Sequence, residues 1–114
     1  MKKDVSVFLT HIIESIEAIE GYTKNTDKNN FIRDKKLQDA VMRRLEIIGE
    51  AVKNLPSDFT SKHKEVEWTK IARMRDKLIH NYFGVDIELT YAVVKNNLPD
   101  LKEKIKKIIA GMKQ

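Results

Sequence analysis

Three side chains with chemistry to offer lie within eight positions of this sequence: Arg75, His80 and Tyr82, in the stretch Arg75-Asp76-Lys77-Leu78-Ile79-His80-Asn81-Tyr82. A guanidinium binds anions, an imidazole exchanges protons near neutral pH, and a phenol both stacks and hydrogen-bonds. Together they suit cleavage of a phosphodiester without a metal ion. His80 could act as general base on a ribose 2′-hydroxyl or as acid toward the leaving oxygen. Arg75 could stabilise charge on the phosphate, Asp76 could orient the imidazole, and Tyr82 could stack on a base or bond to the phosphate. The plain alternative is a surface Arg75–Asp76 pair, a His80 that caps a helix and a Tyr82 packed with its hydroxyl outward. Spacing alone favours that alternative, since Arg-x4-His arises readily by chance.

Geometry sets a condition on the catalytic reading. On an ideal helix Arg75 and Tyr82 share a face, whereas Arg75 and His80 are about 140° apart. Bringing both to one substrate requires either a distortion near residues 79–81 or a second copy across a twofold axis.

The elements that must position these residues are helical. Val5, Phe8, Leu9, Ile12, Ile16 and Ile19 recur at three- and four-residue steps and predict a helix over residues 4–22, ended by Gly21 and a polar segment. Leu37, Val41, Leu45, Ile48, Val52 and Leu55 predict a second over 30–54. Arg44 falls on or beside its buried face, where it should snorkel or pair with a carboxylate such as Glu46 or Glu50. Gly49, inside the same helix, is expected to allow close helix packing. Pro56 and Ser57 open a polar connection to about Glu67, with His63 exposed in it. Trp68, Ile71, Met74 and Leu78 form the stripe of a third helix. Asp86 is a candidate N-cap for the next, Ile87 to Leu98. Pro99 must kink or restart the chain before a last stripe of Leu101, Ile105, Ile108 and Ile109. The expected fold is all-α, an up-and-down bundle of four to five helices forming one domain over residues 1–114.

Bulk properties narrow the function. With no cysteine, disulfides, thiolate catalysis and thiolate metal sites are excluded. Histidines at 11, 63 and 80 give no His-x-x-x-His pair, so no metal site is expected, and no cofactor. His11 reads as a surface residue. No apolar run spans a bilayer and no signal peptide is evident, which predicts a cytoplasmic protein without a membrane partner. The net charge of +5, from 22 Lys+Arg against 17 Asp+Glu, makes an anionic partner such as RNA plausible. Lys102, Lys104, Lys106, Lys107 and Lys113 read as a solvated helix face. Lys70, Arg73, Arg75 and Lys77 gather around His80 and are more suggestive.

The stretch Arg75 to Tyr82 matches the Arg-x4-His-x-Tyr signature of HEPN-domain proteins, and the chain resembles in particular the small HepT toxins. Arg44-Leu45-Glu46-Ile47-Ile48-Gly49-Glu50-Ala51, Trp68 leading into Ile71 and Met74, and Phe83-Gly84-Val85-Asp86 agree in order along the chain. Arg73 departs from the pattern, which has a small residue there, and could add a phosphate contact as a supporting residue beside Asp76. The resemblance implies a metal-independent endoribonuclease acting through Arg75 and His80 in a homodimer, the toxin of a type VII toxin–antitoxin pair. It further implies an MntA-type nucleotidyltransferase antitoxin that attaches AMP to Tyr82, and a homodimer or a higher oligomer with that antitoxin. On the same resemblance Gly49 and Glu50 would be structural. The competing readings are a non-catalytic nucleotide-binding or nucleotidyltransferase-partner module and a generic helical interaction domain.

Overall fold

The stripe that opens the sequence becomes the centre of the core. In a computed structural model, which describes residues 4–80 and 84–113, Leu9, Ile12, Ile16 and Ile19 are fully buried on helix α1, Val5–Thr23. Each such side chain removed from water contributes roughly 1.5–3 kcal/mol before chain entropy is charged against it. Asp4 caps the helix start by accepting from the Ser6 amide at 3.0 Å. The helix runs through Gly21 and ends two residues later. The reversal is made by Asn25, at φ 62°, a left-handed conformation that asparagine tolerates better than most residues.

The second predicted helix is two helices. Helix α2, Lys28–Arg33, and helix α3, Lys35–Lys53, meet at Asp34, whose backbone is extended. Asp34 Oδ1 accepts from the Leu37 amide at 3.0 Å, so this side chain starts a new helix where the apolar period alone would continue the old one. At the break the carbonyls of Phe31 and Ile32 both accept from Gln38 Nε2 at 2.9 Å. Phe31 is thereby fixed in the core, tilted against Tyr91 at 5.5 Å between ring centres. Helix α3 packs along α1 through Val41, Leu45 and Ile48.

The predicted connection after Pro56 contains a short helix, α4, Ser57–Lys62. His63 ends it and is half-buried, correcting the exposed placement: its ring lies 4.7 Å from that of Phe59, its Nδ1 3.6 Å from Glu65 Oε2. Its carbonyl accepts from Trp68 Nε1 at 2.9 Å, which ties the buried indole to the loop. His11 is exposed, as read.

The third helix is also divided. Helix α5, Trp68–Ala72, and helix α6, Met74–Leu78, are separated at Arg73, and both pack on α3. Gly49 lies under the junction. A methyl on it would stand 3.5 Å from the Ala72 carbonyl oxygen and 3.6 Å from that of Ile71. The packing is close, as expected of that glycine, though not closer than ordinary contact.

After α6 the chain leaves the helix. Strand β1, Ile79–His80, pairs antiparallel with strand β2, Gly84–Val85, aligning Ile79 with Val85 and His80 with Gly84. Asp86 then caps helix α7, Ile87–Ala92, accepting from the Leu89 amide at 3.0 Å. A π-helical turn, Val93–Asn97, joins α7 to helix α8, Leu98–Met112. Pro99 accounts for the widened turn: it has no N–H for the Lys95 carbonyl, and the chain re-registers with Leu98 N bonded to Val93 O. The fold is all-α, and no helix of the described residues is long and apolar enough to cross a membrane.

Candidate functional site

Leu78 anchors the region that carries the chemistry. Its side chain is buried in the core and its carbonyl accepts from the Asp86 amide at 2.7 Å, closing the base of the β1–β2 pair. The Asp86 carbonyl in turn accepts from the Thr90 amide at 2.9 Å and from the buried Thr90 hydroxyl at 2.7 Å. A short extended pair is therefore tied at its base to the start of α7.

This anchor bears on the geometric condition set by the sequence. Helix α6 stops at Leu78, and Ile79 is already extended at φ −103°, ψ 114°. Arg75 thus sits on the last helical turn and His80 on an extended strand, so the 140° separation of a continuous helix does not apply. Of the two possibilities the spacing left open, a distortion near residues 79–81 or a second copy across a twofold axis, the chain shows a departure from the helix at Ile79 and His80. Tyr82, the proposed modification site, lies outside the described residues, as does the side chain of His80.

Arg75 is held from a distance in sequence. Its Nε donates to Glu46 Oε2 on α3 at 2.8 Å. Its Nη1 lies 3.8 Å from Asp76 Oδ1, within ion-pair range but beyond a hydrogen bond. With the Arg75 side chain 51% exposed and that of Glu46 34%, the pair adds on the order of 0–1 kcal/mol to stability. Its consequence is the direction in which the guanidinium points.

Glu46 is the residue that sequence reasoning misplaced. The sequence makes it one of two carboxylates for Arg44 to pair with if that residue does not snorkel, but Arg44 is half-buried and makes no ion pair among the described residues. Glu50, the other candidate, pairs with Lys53 at 3.6 Å. The signal available was weak: an acidic residue at the edge of a buried stripe, whose partner lay beyond two breaks in the chain.

The basic residues separate into two groups. Lys102 reaches Glu20 at 2.7 Å and Glu17 at 3.6 Å, pinning α8 to α1, and Lys106 reaches Glu17 at 3.7 Å. Lys104 pairs with Asp100 and Lys107 with Glu103 one turn away. Near the motif, Lys70 pairs with Glu67 at 2.8 Å, and that contact holds the carboxyl below and the ammonium above their ordinary ranges. Arg73 and Lys77 are exposed and form no ion pair among the described residues. Arg73 also makes the break between α5 and α6, where its backbone has left the helix at φ −98°, ψ 3°. Asp76 is exposed, and its carboxylate accepts no hydrogen bond among the described residues.

A cleft of about 220 Å³ opens between α5–α6 and the π turn with α8. Ile71, Met74, Leu98 and Leu101 supply apolar wall, and Lys77 and Asn97 stand in its lining. Arg75 does not line it, so the guanidinium serves a different surface of α6.

The family model described as Ribonuclease HepT-like matches residues 12–108. The chain is 56% identical over 109 residues to "Gamma-glutamylcyclotransferase and putative RNase MJ0434" of Methanocaldococcus jannaschii; the match takes in 96% of this chain and 49% of that protein. This chain therefore spans about half the length of that relative. It is 50% identical over 108 residues to "Probable ribonuclease HepT" of Thermococcus cleftensis, covering 95% of this chain and 98% of the other. No solved structure matches.

Proposed function

Because the chain belongs to the HepT-like ribonuclease family, we propose that it is an endoribonuclease that cleaves RNA through Arg75 and His80 without a metal ion. The observation that carries this reading is the end of α6 at Leu78, which frees Arg75 and His80 from opposite sides of one helix. In the proposed reaction His80 takes the proton of a ribose 2′-hydroxyl, and the resulting oxygen attacks the adjacent phosphorus. The bond to the 5′-oxygen of the next nucleotide breaks, and that oxygen takes a proton from solvent while His80 returns its own to solvent. The products are a 2′,3′-cyclic phosphate and a 5′-hydroxyl end. Arg75 stabilises the charge that builds on the non-bridging oxygens. Arg73 and Lys77, without acidic partners among the described residues, favour the approach of the polyanion, and Asp76 is assigned to support the site.

Arg75 is half-exposed and lies outside the cleft of the single chain, which supports a groove completed by a second copy across a twofold axis. We assign the protein as the toxin of a type VII toxin–antitoxin pair, with an MntA-type nucleotidyltransferase as antitoxin. That partner would transfer AMP from ATP to the Tyr82 hydroxyl with release of pyrophosphate. Phosphate charge two residues from His80 would then repel RNA.

Cleavage of a labelled RNA by the full chain, with and without EDTA, tests the reading. His80→Ala and Arg75→Ala are expected to abolish cleavage and growth inhibition while leaving the folded oligomer intact; retained cleavage in both variants refutes the assignment. Intact mass after incubation with the partner and ATP is expected to rise by AMP units in wild type and to stay unchanged in Tyr82→Phe. A second reading, a non-catalytic nucleotide-binding or nucleotidyltransferase-partner module, draws support from the Met74–Lys77 cleft. It is favoured if RNA is bound but never cut.

A further inference from the structure

We propose that Glu46 is the positioning residue of Arg75, holding the guanidinium by its Nε edge so that both terminal nitrogens face the scissile phosphate. The inference rests on the ribonuclease reading above. An arginine meets an oxyanion either side-on, through Nε and one Nη, or end-on, through both Nη atoms. Glu46 Oε2 occupies the Nε donor at 2.8 Å and so takes the side-on position. Asp76, the other carboxylate nearby, stands 3.8 Å from Nη1, too far to consume a hydrogen bond. Among the described residues the end-on edge therefore keeps its donors.

The architecture explains why such a tether is needed. Arg75 rides on a five-residue helix broken before it at Arg73 and after it at Ile79. A long, half-exposed side chain on so short a segment would otherwise sample many rotamers. Glu46 belongs to the 19-residue helix α3, whose apolar face is locked into the core by Val41, Leu45 and Ile48. The hydrogen bond thus references a catalytic group on a short segment to a long helix packed into the core. Preorganisation of this kind acts on the transition state more than on binding of the polyanion, which other cations also attract.

The prediction is a split between kcat and KM. On an oligoribonucleotide that the wild type cuts, Glu46→Ala is expected to lower kcat roughly tenfold to thirtyfold and to change KM by less than about threefold, because an oriented donor is loosened rather than removed. Glu46→Gln keeps an acceptor for Nε–H and should retain kcat to within about threefold. Glu46→Asp draws the carboxylate back by one methylene, keeps the charge for folding, and should fall between the two. The Nε–H resonance of Arg75 should be protected from exchange in wild type and Glu46→Gln and unprotected in Glu46→Ala. A kcat that holds or rises in Glu46→Ala, or that falls equally in the Ala and Gln variants, overturns the inference while cleavage still depends on Arg75. Undiminished cleavage by Arg75→Ala, or none by wild type, removes the ribonuclease reading and the inference with it.

Discussion

Gly49→Ala is the substitution for which the backbone geometry gives the sharpest expectation. A glycine in a helix interior lowers stability by about 1 kcal/mol relative to alanine, because it leaves the unfolded chain freer. Gly49 is buried beneath the α5–α6 junction, where a glycine is often taken to be obligatory. The distances say otherwise. The added methyl would lie 3.5 Å from the Ala72 oxygen and 3.6 Å from the Ile71 oxygen, ordinary van der Waals separations that require no backbone shift. The Ile71 carbonyl already accepts from the Arg73 amide, so the methyl strips it of no obligatory partner. The net expectation is a stabilisation of about 0.5–1 kcal/mol, or roughly 2–6 °C in Tm for a domain of this size. Circular dichroism melts of the two proteins measure it directly. Since α5 and α6 keep their positions, RNA cleavage should stay within about twofold of wild type. A fall in Tm of more than about 2 °C would refute the reasoning, because it would mean that the helices approach more closely than these distances allow.

Other outcomes follow from the caps and the charge pairs. Asp34→Ala removes the side chain that starts α3 and should cost about 1 kcal/mol; an unchanged Tm would show that α2 and α3 fuse without penalty despite the Gln38 bonds across the break. Lys102→Met keeps the apolar stem but releases Glu17 and Glu20, lowering stability by about 0.5–1 kcal/mol. The hydrogen bond to Glu20 keeps the Lys102 ammonium charged to a higher pH than an ordinary lysine. The difference in Tm between wild type and Lys102→Met should therefore be fully present below about pH 10 and vanish as pH rises through the raised value. Equal melting of wild type and Lys102→Met at neutral pH would show that Lys102 acts through its stem alone.

What could be read from the sequence was whatever repeats at a fixed period or caps at a fixed offset. The stripes on α1, α3 and α8 were legible because each buried residue recurs every three or four positions and faces one core. Asp86 and Pro99 announced their roles because a cap and a missing amide act locally. The breaks at Asp34 and Arg73 were not legible, since the apolar period runs straight through both. A single side chain competing for the Leu37 amide decides the first. The half-buried setting of His63 depends on Phe59 and Trp68 folding around it, which is a tertiary fact.

The candidate site shows the same division. Spacing supplied the geometric condition on Arg75 and His80, a distortion or a second copy, while the family resemblance singled the pair out; a break is found at Leu78, the residue whose buried side chain and carbonyl hold the strand pair in place. Glu46 was visible but attached to the wrong arginine, because Arg44 is two residues away and Arg75 is 29. Sequence proximity misleads here for a physical reason. On a helix, residues two apart point about 200° from one another, so Arg44 and Glu46 were poor partners from the start. The carboxylate had to find its cation on another element. The helix close enough to offer one is α6, brought onto α3 beside Gly49, where two helices can approach to contact distance.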